Sequence, residues 1–416
     1  MPSSDRIKIG LTVLVASLGY FVDIYDLQLF NIVSKQSLLG IGITDPDTLA
    51  RYDYLLFLWQ MGGMLIGGIL WGILGDRKGR KNILFGSILL YSLANFANAF
   101  VVDLTQYSLV RFVAGLGLAG ELGAAITLVS EIMHKDKRGY GTMVIVTMGA
   151  LGAVAAVKIS ETELHWFGLQ SWQVSYLIGG SLGMALLLLR VSTFESKLFD
   201  ESKKKNVSRG NFLMLFTHRE RFKRYIACIL IGLPVWFVIG ILIKFSDQFA
   251  LLTEVKGESI SVGRAIMYAY IGLSIGDLFS GALSQWFRSR KKIILIYLAF
   301  TTGAILVFLF GKGMDSDTYY FLCFLLGAAA GYWALFVSMA AEQFGTNIRA
   351  TVATTVPNFV RGAVIPIILL FKLLEDWMGS IGSAAVVGAL CLILALVSVM
   401  YLRESFGKDL DYLEMN

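Results

Sequence analysis

The chain has 416 residues, of which 56% are hydrophobic and only 16% are charged. Soluble proteins carry about 25% charged residues, so this composition excludes an ordinary soluble globular protein. The net charge of +6 is concentrated in short segments between apolar runs, which argues against a nucleic-acid-binding surface. The composition instead predicts an all-α protein that crosses a membrane many times.

Twelve apolar segments are each long enough to cross the hydrocarbon core, which takes about 20 residues in helical form. We number them as spans 1 to 12, with predicted limits 8–33, 53–75, 82–102, 107–132, 141–159, 173–193, 222–247, 264–286, 293–312, 318–341, 350–374 and 381–402. Span 1 lacks a small-residue cleavage site, so we expect an uncleaved first span rather than a signal peptide.

One long charged connection divides the spans six and six. We therefore expect a first half over 1–193, a linker over 194–221 and a second half over 222–416. Within this region, 212–224 has the pattern of an amphipathic helix that lies in the membrane interface.

Positively charged residues follow the even-numbered spans, as in DRKGRK (76–81), HKDKRG (134–139) and RSRKK (288–292). The connections after odd-numbered spans are neutral to acidic on balance. Because cytoplasmic loops are enriched in lysine and arginine, both termini and the linker are predicted to be cytoplasmic, in a multi-pass inner-membrane protein.

Two motifs recur in the two halves. GILGDRKGRK (72–81) follows span 2 and GALSQWFRSRK (281–291) follows span 8, while Glu131 with Arg138 is matched by Glu342 with Arg349. Both motifs recur at an offset of about 210 residues, which indicates a duplicated six-helix unit.

The run after span 2 resembles the signature of the major facilitator superfamily, and the duplication and long middle linker extend this resemblance over the whole chain. The segments 111–131 and 403–414 and the Asp23–Asp26 pair resemble more specifically the metabolite:proton, aromatic acid:proton and sugar-porter-like symporters. Span 2 departs from many metabolite:proton members because it carries Gln60 and no arginine. The resemblance implies a monomeric secondary transporter in the lipid bilayer, acting on protons and a small-molecule substrate, without cofactor, metal or nucleic acid.

The turn after span 2 is the predicted conformational clasp. Asp76 can accept hydrogen bonds from a helix N-terminus, and Gly79 permits a backbone conformation that other residues resist. The resemblance implies that this turn docks on span 11 of the other half and holds the outward-open state; the alternative is a simple cytoplasmic anchor. The predicted clasp residues are Gly72, Asp76, Arg77, Gly79, Arg80, Glu131, Arg138, Glu342 and Arg349. Since Gln285 replaces the aspartate in the second copy, we expect that copy to be weaker.

Charged residues at membrane depth are costly to insert and normally mark a transport pathway. A carboxylate that alternates between wet and dry surroundings can take up a proton on one side and release it on the other. The predicted proton-coupling residues are Asp23, Asp26 and Glu121, and Asp26 is placed to form an ion pair with Arg111. The alternative is that these four residues form a static salt-bridge cluster.

Arg361 lies about twelve residues into span 11, just after Pro357 and Asn358. Its guanidinium cannot be neutralised, so it needs an anionic substrate or a carboxylate partner, for which Asp277 and Glu121 are the internal candidates. The predicted substrate-binding residues are Arg361, Arg111, Gln60, Trp236, Tyr332, Trp333, Asn358 and Asp277. The alternative for the aromatic residues is packing. We interpret Lys158, Lys244 and Lys372 as interfacial anchors.

The sequence therefore favours proton-coupled symport of a small organic anion or zwitterion by alternating access. The alternatives are a proton-driven exporter of drugs or metabolites, a sugar transporter on the same fold, and a non-transporting sensor. An enzyme is excluded, since the sequence shows no nucleophile–histidine pair, metal cluster or phosphate loop.

Overall fold

The computed structural model describes residues 3–133, 138–162, 166, 168–190, 211–408 and 412–414. Within these ranges the chain is almost entirely helical and has no β-strand beyond an isolated bridge between Lys256 and Asp315. Most of the linker lies outside the described residues. Its described end carries the short helix Met214–Thr217 ahead of a helix that begins at Arg219, within the predicted amphipathic segment.

The helices of the first half follow the predicted spans 1 to 6, with span 4 in two segments. Their bounds are Ser3–Gly40, Pro46–Lys78, Arg80–Asn98, Leu104–Leu118, Glu121–Ile132, Arg138–Glu161 and Ser171–Leu189. Span 2 begins at a capped N-terminus because the Asp45 side chain accepts a hydrogen bond from the backbone N–H of Thr48 at 2.9 Å.

The second half continues through spans 7 to 12. Span 7 comprises Arg219–Ile231, Leu233–Phe237 and the π-helix Val238–Ile243, and the remaining helices are Ser246–Leu252, Val262–Trp286, Arg290–Phe310, Ser316–Ala330, Trp333–Glu342, Arg349–Gly362 and Val364–Tyr401. Gly379, with φ +70° and ψ 170°, interrupts the last helix and separates span 11 from span 12. Only glycine adopts this conformation readily, so the reversal is placed at this residue.

Ten helical stretches in the described part of the chain are long and apolar enough to cross a membrane. One of them, Arg349–Tyr401, contains both predicted spans 11 and 12, and the helix of predicted span 3 is not among the ten. The chain is therefore a multi-pass membrane protein, and the count of twelve spans stays a prediction.

Spans 4, 7 and 10 are interrupted near their middles, which the hydropathy pattern did not predict. A helix break leaves backbone groups that lipid cannot satisfy. At the break in span 10 the Asp277 carboxylate accepts a hydrogen bond from the backbone N–H of Ala334 at 2.8 Å. At the break in span 4 the Asn358 amide donates to the carbonyl of Ala119 at 2.7 Å. Side chains of neighbouring spans thus satisfy these two breaks.

Glycines let the two halves approach closely along span 11. A Cβ at Gly68 would lie 2.8 Å from the Cβ of Asn358, and one at Gly72 would lie 3.0 Å from the Cα of Thr351. Gly123 of span 4 meets span 11 in the same way, at Thr354. Backbone-to-backbone packing of this kind needs small residues. We call the end of the molecule that carries Asp76 the clasp face and the other end the opposite face.

Candidate functional site

The clasp face is closed by Asp76. One carboxylate oxygen accepts hydrogen bonds from the backbone N–H and the hydroxyl of Thr351 at 2.8 and 2.6 Å, and the other accepts from the N–H of Ala350 at 3.2 Å. Because this helix begins at Arg349, a carboxylate of the first half caps a helix of the second half. Gly79 ends span 2 with φ +101° and returns the chain into span 3.

The other predicted clasp residues are placed variously. Gly72 packs on span 11, Arg77 is exposed at the surface, and Arg349 is fully buried. Glu342 accepts hydrogen bonds from Arg290 at 3.2 Å and from Ser405 at 2.7 Å, so it binds span 9 and the C-terminal tail. The side chains of Arg80, Glu131 and Arg138 lie outside the described residues. The switching role of this network stays a prediction.

Arg361 lies at the centre of the molecule, 1% exposed. Its guanidinium is 4.0 Å from the carboxylate of Asp23 and donates to the Tyr20 hydroxyl at 3.4 Å and to the side-chain Oδ1 of Asn358 at 3.3 Å. Two indole rings flank it, those of Trp236 at 5.8 Å and Trp333 at 5.7 Å. A cation between aromatic faces is stabilised by their quadrupoles and stays available to an anion.

The internal partners expected for Arg361 are wrong, because its carboxylate neighbour is Asp23 of span 1. The Asp277 carboxylate instead accepts a hydrogen bond from the backbone N–H of Ala334 at the break in span 10. Glu121 is bound on both oxygens by Arg190, which also donates to the carbonyl of Leu84 at 3.0 Å. Sequence reasoning missed Arg190 because an arginine at the end of an apolar span reads as an interfacial anchor. The structure buries it to 1% exposure.

The Glu121–Arg190 pair bears on the proton-coupling prediction. With both carboxylate oxygens bound to a guanidinium, the charge of Glu121 is compensated by a permanent cation. Glu121 is thus bound outside the four-residue cluster that was the alternative, and we continue with Asp23 and Asp26 as candidates for proton uptake.

The predicted ion pair between Asp26 and Arg111 does not form. Among the described residues, neither side chain has a hydrogen-bond partner, and the Arg111 guanidinium instead stacks 4.6 Å from the ring of Phe30 and 5.9 Å from that of Tyr176. Both residues are at most 1% exposed. Their contacts are with residues of the first half, namely Phe30 and Tyr176 for Arg111 and Gly179 for Asp26.

The remaining predicted substrate residues divide into two groups. Trp236 and Trp333 meet each other at 6.3 Å and adjoin Arg361. The Tyr332 hydroxyl donates to the Ile231 carbonyl at 3.0 Å, which places this residue in the packing of the second half. Gln60 is fully buried in span 2, where its backbone contacts Gly115 of span 4.

Two tyrosines near Arg361 were not predicted. Tyr20 contacts the guanidinium, and the Tyr270 hydroxyl accepts a hydrogen bond from Gln28 at 2.6 Å across the two halves. A single sequence does not distinguish a tyrosine that lines a binding site from one that packs between apolar helices. The position of Tyr20, three residues before Asp23 and therefore on the same helix face, was the only available hint.

On the opposite face, Lys244 joins the two halves. Its ammonium contacts Asp53 of span 2 at 3.4 Å, and the hydroxyl of Ser34 binds the same carboxylate. Lys244 is 8% exposed, so interpreting it as an interfacial anchor was wrong. Lys35 and Asp247 add a second ion pair between the halves at 3.4 Å. Two cavities of about 680 and 780 Å³ lie beside these contacts, lined in part by Lys35 and Asp247.

Comparison with known proteins agrees with this architecture. The sequence model of the Major Facilitator Superfamily matches residues 16–367. A protein of Bacillus subtilis (strain 168) that carries the name niacin/nicotinamide transporter NiaP is 31% identical over 371 residues, covering 86% of each chain. The 3-(3-hydroxy-phenyl)propionate transporter of Escherichia coli (strain K12) is 27% identical over 421 residues, covering 99% of this chain and 98% of the relative.

Solved structures show the same fold at lower identity. The proton:xylose symporter XylE matches with a TM-score of 0.73 at 16% identity, covering 98% of both chains. The transporter FucP in its outward conformation matches with a TM-score of 0.74 at 16% identity, covering 94% of this chain and 98% of FucP.

Replacing Asp76 with asparagine should loosen the clasp face. Hydrogen bonds to a charged group contribute about 1.5–3 kcal/mol, so we expect the ratio of closed to open molecules at this face to fall about tenfold or more. Distances between spin labels at the exposed Lys78 and Lys292, one in each half, measure this ratio. Asp47→Asn, at the exposed opposite end of span 2, is the matched control. An unchanged distance distribution in D76N would show that the cap does not hold the halves together.

Replacing Glu121 with glutamine should strongly destabilise the protein, since it removes the carboxylate that binds the buried guanidinium of Arg190 through both oxygens. Breaking a buried pair costs about 3–5 kcal/mol, whereas replacing both partners by apolar residues is often nearly neutral. We therefore expect E121Q to lower the thermal unfolding midpoint in detergent and Glu121→Met with Arg190→Met to recover most of it. Glu161→Gln, which breaks the exposed pair with Lys158, should have little effect. Equal midpoints for E121Q and E161Q would contradict a stabilising buried pair.

Proposed function

Because the chain belongs to the Major Facilitator Superfamily, and is thus a secondary transporter rather than an enzyme, we propose that it imports a small aromatic carboxylate together with protons. In this proposal the twelve spans form two six-helix halves in the cytoplasmic membrane of a monomer, with both termini and the clasp face in the cytoplasm. The halves rock about the centre of the membrane and expose Arg361 to each side in turn.

The environment of Arg361 supports this substrate class. A buried guanidinium in a planar fork matches a carboxylate, and the indole rings of Trp236 and Trp333 within 6 Å offer apolar faces to a ring. The two relatives are named for niacin or nicotinamide and for 3-(3-hydroxy-phenyl)propionate. Niacin and the phenylpropionate share an aromatic ring and a carboxylate, the two features this site can hold.

In this proposal Asp23 couples the binding of a proton to the binding of the substrate. The Asp23 carboxylate is the counter-ion of Arg361 at 4.0 Å, and it accepts no hydrogen bond from any described residue. A substrate carboxylate competes for the same guanidinium. Protonation of Asp23 removes that competitor, and binding of the anion in turn favours the protonated aspartate. Proton and substrate therefore assist one another in binding, which is the thermodynamic requirement for symport.

The same charges argue against the rival functions. A pump for lipophilic drugs needs a wide apolar cavity, whereas Asp23 and Arg361 place two charges at its centre. A neutral sugar needs no fixed cation. The likeness to XylE and FucP is one of fold and does not change this preference.

Transport by purified protein in liposomes tests the substrate class. We expect an imposed inward proton gradient to drive uptake of labelled nicotinate and benzoate, and not of nicotinamide or xylose. Arg361→Lys keeps the positive charge but loses the planar guanidinium that can bind both carboxylate oxygens, so uptake should fall about tenfold or more. Arg264→Lys changes an exposed arginine on span 8 and should transport normally. Equal uptake of nicotinate and nicotinamide would contradict carboxylate recognition by Arg361.

Replacing Asp23 with asparagine tests the coupling. The amide imitates the protonated carboxyl group, so D23N should bind nicotinate independently of pH and lose gradient-driven accumulation. Exchange of nicotinate between equal concentrations on the two sides should persist, because it needs no net proton movement. Asp47→Asn at the exposed start of span 2 provides the control. If D23N concentrates nicotinate as well as the unaltered protein does, Asp23 is not the coupling residue.

A further inference from the structure

Spans 1, 3 and 6 enclose a row of polar side chains inside the first half, apart from the Arg361 site. We call this row the inner file. Its members are Asp26, Ser87, Tyr91, Ser92, Asn95, Glu121 and Arg190, each at most 1% exposed. The proposed function assigns proton coupling to Asp23, and it assigns no role to the residues of the inner file.

Helical spacing places these residues in line. Ser87, Tyr91 and Asn95 are four apart on span 3, and Gly179 and Gly183 are four apart on span 6. Residues at this spacing share one helix face, so a polar face of span 3 meets a glycine face of span 6. Because the two glycines have no side chains, polar groups of spans 1 and 3 can pack directly against span 6.

The contacts at the glycines show the order of the file. At Gly179 the carboxylate of Asp26 and the amide of Asn95 converge, the amide nitrogen 3.4 Å from the place a Cβ would occupy. One turn further, Gly183 faces the Ser92 hydroxyl and the ring of Tyr91, the ring at 3.1 Å.

The file ends at the Glu121–Arg190 pair. Both of these side chains fill the space beside Gly19 on span 1, and Ser87 lies against Gly120 at the break before Glu121. From Asp26 to Gly19 is seven residues of span 1, or about 10 Å at 1.5 Å per residue. The file thus runs from Asp26 toward the clasp face.

Several members of the file, other than Glu121 and Arg190, have polar atoms without a hydrogen-bond partner in the described part of the chain. Among the described residues, the hydroxyls of Ser87, Tyr91 and Ser92 and both carboxylate oxygens of Asp26 make no hydrogen bond. Buried polar groups are nearly always hydrogen-bonded, and a consecutive row without partners is costly unless small polar molecules join it. Water is the molecule that fits, because a buried water binds two to four such groups.

We propose that the inner file holds a chain of waters through which protons pass between Asp26 and the clasp face, separately from the substrate route at Arg361. A proton binds at the Asp26 end, each hydroxyl or water accepts one proton and donates another, and one proton leaves beside the Glu121–Arg190 pair. Only O–H bonds form and break, so the step needs no oxidant or reductant. This inference rests on the proposed proton coupling.

A paired substitution can block the file without changing its volume greatly. Gly183→Ala places a methyl group where the Ser92 hydroxyl lies, and Ser92→Ala removes that hydroxyl. The double variant therefore exchanges a polar group for an apolar one at the same place. Gly180→Ala is the matched control, since its methyl group would face the ring of Phe96 at 3.1 Å on the same helix but outside the file.

The first experiment measures nicotinate and proton movement in liposomes that contain a pH-sensitive dye. In the double variant we expect nicotinate-driven proton entry to fall about tenfold or more, while exchange of nicotinate stays within about twofold of the unaltered protein. G180A should behave as the unaltered protein in both assays. Unchanged proton entry in the double variant would overturn the proposal. An equal fall in exchange would also overturn it, because it would show that the row serves packing alone.

The second experiment needs no substrate and so separates this inference from the proposed function. Hydroxyl radicals generated by X-ray radiolysis of bound water modify side chains beside that water even when they are buried. Tyr91 should be modified in the unaltered protein and protected in the double variant. Tyr319, whose hydroxyl donates to the Ser246 carbonyl at 2.8 Å, should be protected in both. If the protein does not transport nicotinate, the proposed substrate is wrong, but the labelling of Tyr91 still tests whether the inner file holds water. An unmodified Tyr91 would show that the file is dry.

Discussion

A permanent positive charge buried inside a membrane protein constrains which residues can surround it. Arg361 cannot lose its proton, so its surroundings must compensate the charge in every conformation. The structure uses one carboxylate at 4.0 Å, two indole faces and two neutral oxygens. None of these contacts is a close ion pair that saturates the guanidinium. The guanidinium therefore keeps capacity to bind an anion.

The same site depends on broken helices. Asn358, which contacts Arg361 through its oxygen, donates its amide hydrogens to Ala119 at the break in span 4 and to Thr354 of its own helix at 2.8 Å. Movement of span 11 relative to span 4 would break the first of these bonds and shift the guanidinium. Asp76, on the same side, holds the start of span 11. Closure of the clasp face and the position of Arg361 are thus linked through one helix.

Local sequence patterns predicted much of this architecture, but they did not predict which side chains pair between different helices. Apolar length predicted the spans because insertion into lipid depends on each segment by itself. The glycines and Asp76 of the turn after span 2 were predicted from a short motif. The partners of Arg361, Glu121 and Lys244 were not, since each lies on a different span and the choice depends on which helix faces meet. The breaks in spans 4, 7 and 10 were also missed, because apolar residues continue through them.

The hydroxyls of the inner file differ from a set of buried hydroxyls in the second half that are bound to the backbone. In the second half, Tyr297, Thr301, Tyr319 and Tyr332 each donate to a backbone carbonyl at 2.8 to 3.0 Å. Such bonds fix a helix bundle and offer no path for a proton. In the inner file, the Ser92 hydroxyl and the ring of Tyr91 lie beside Gly183, and Ser87 lies against Gly120. None of these three hydroxyls has a hydrogen-bond partner among the described residues. The cation and indoles that suit an anionic substrate belong to the second half, and Asp23 belongs to the first. Asp23 and Arg361 form one of the contacts between the halves, and in the proposed mechanism coupling takes place there.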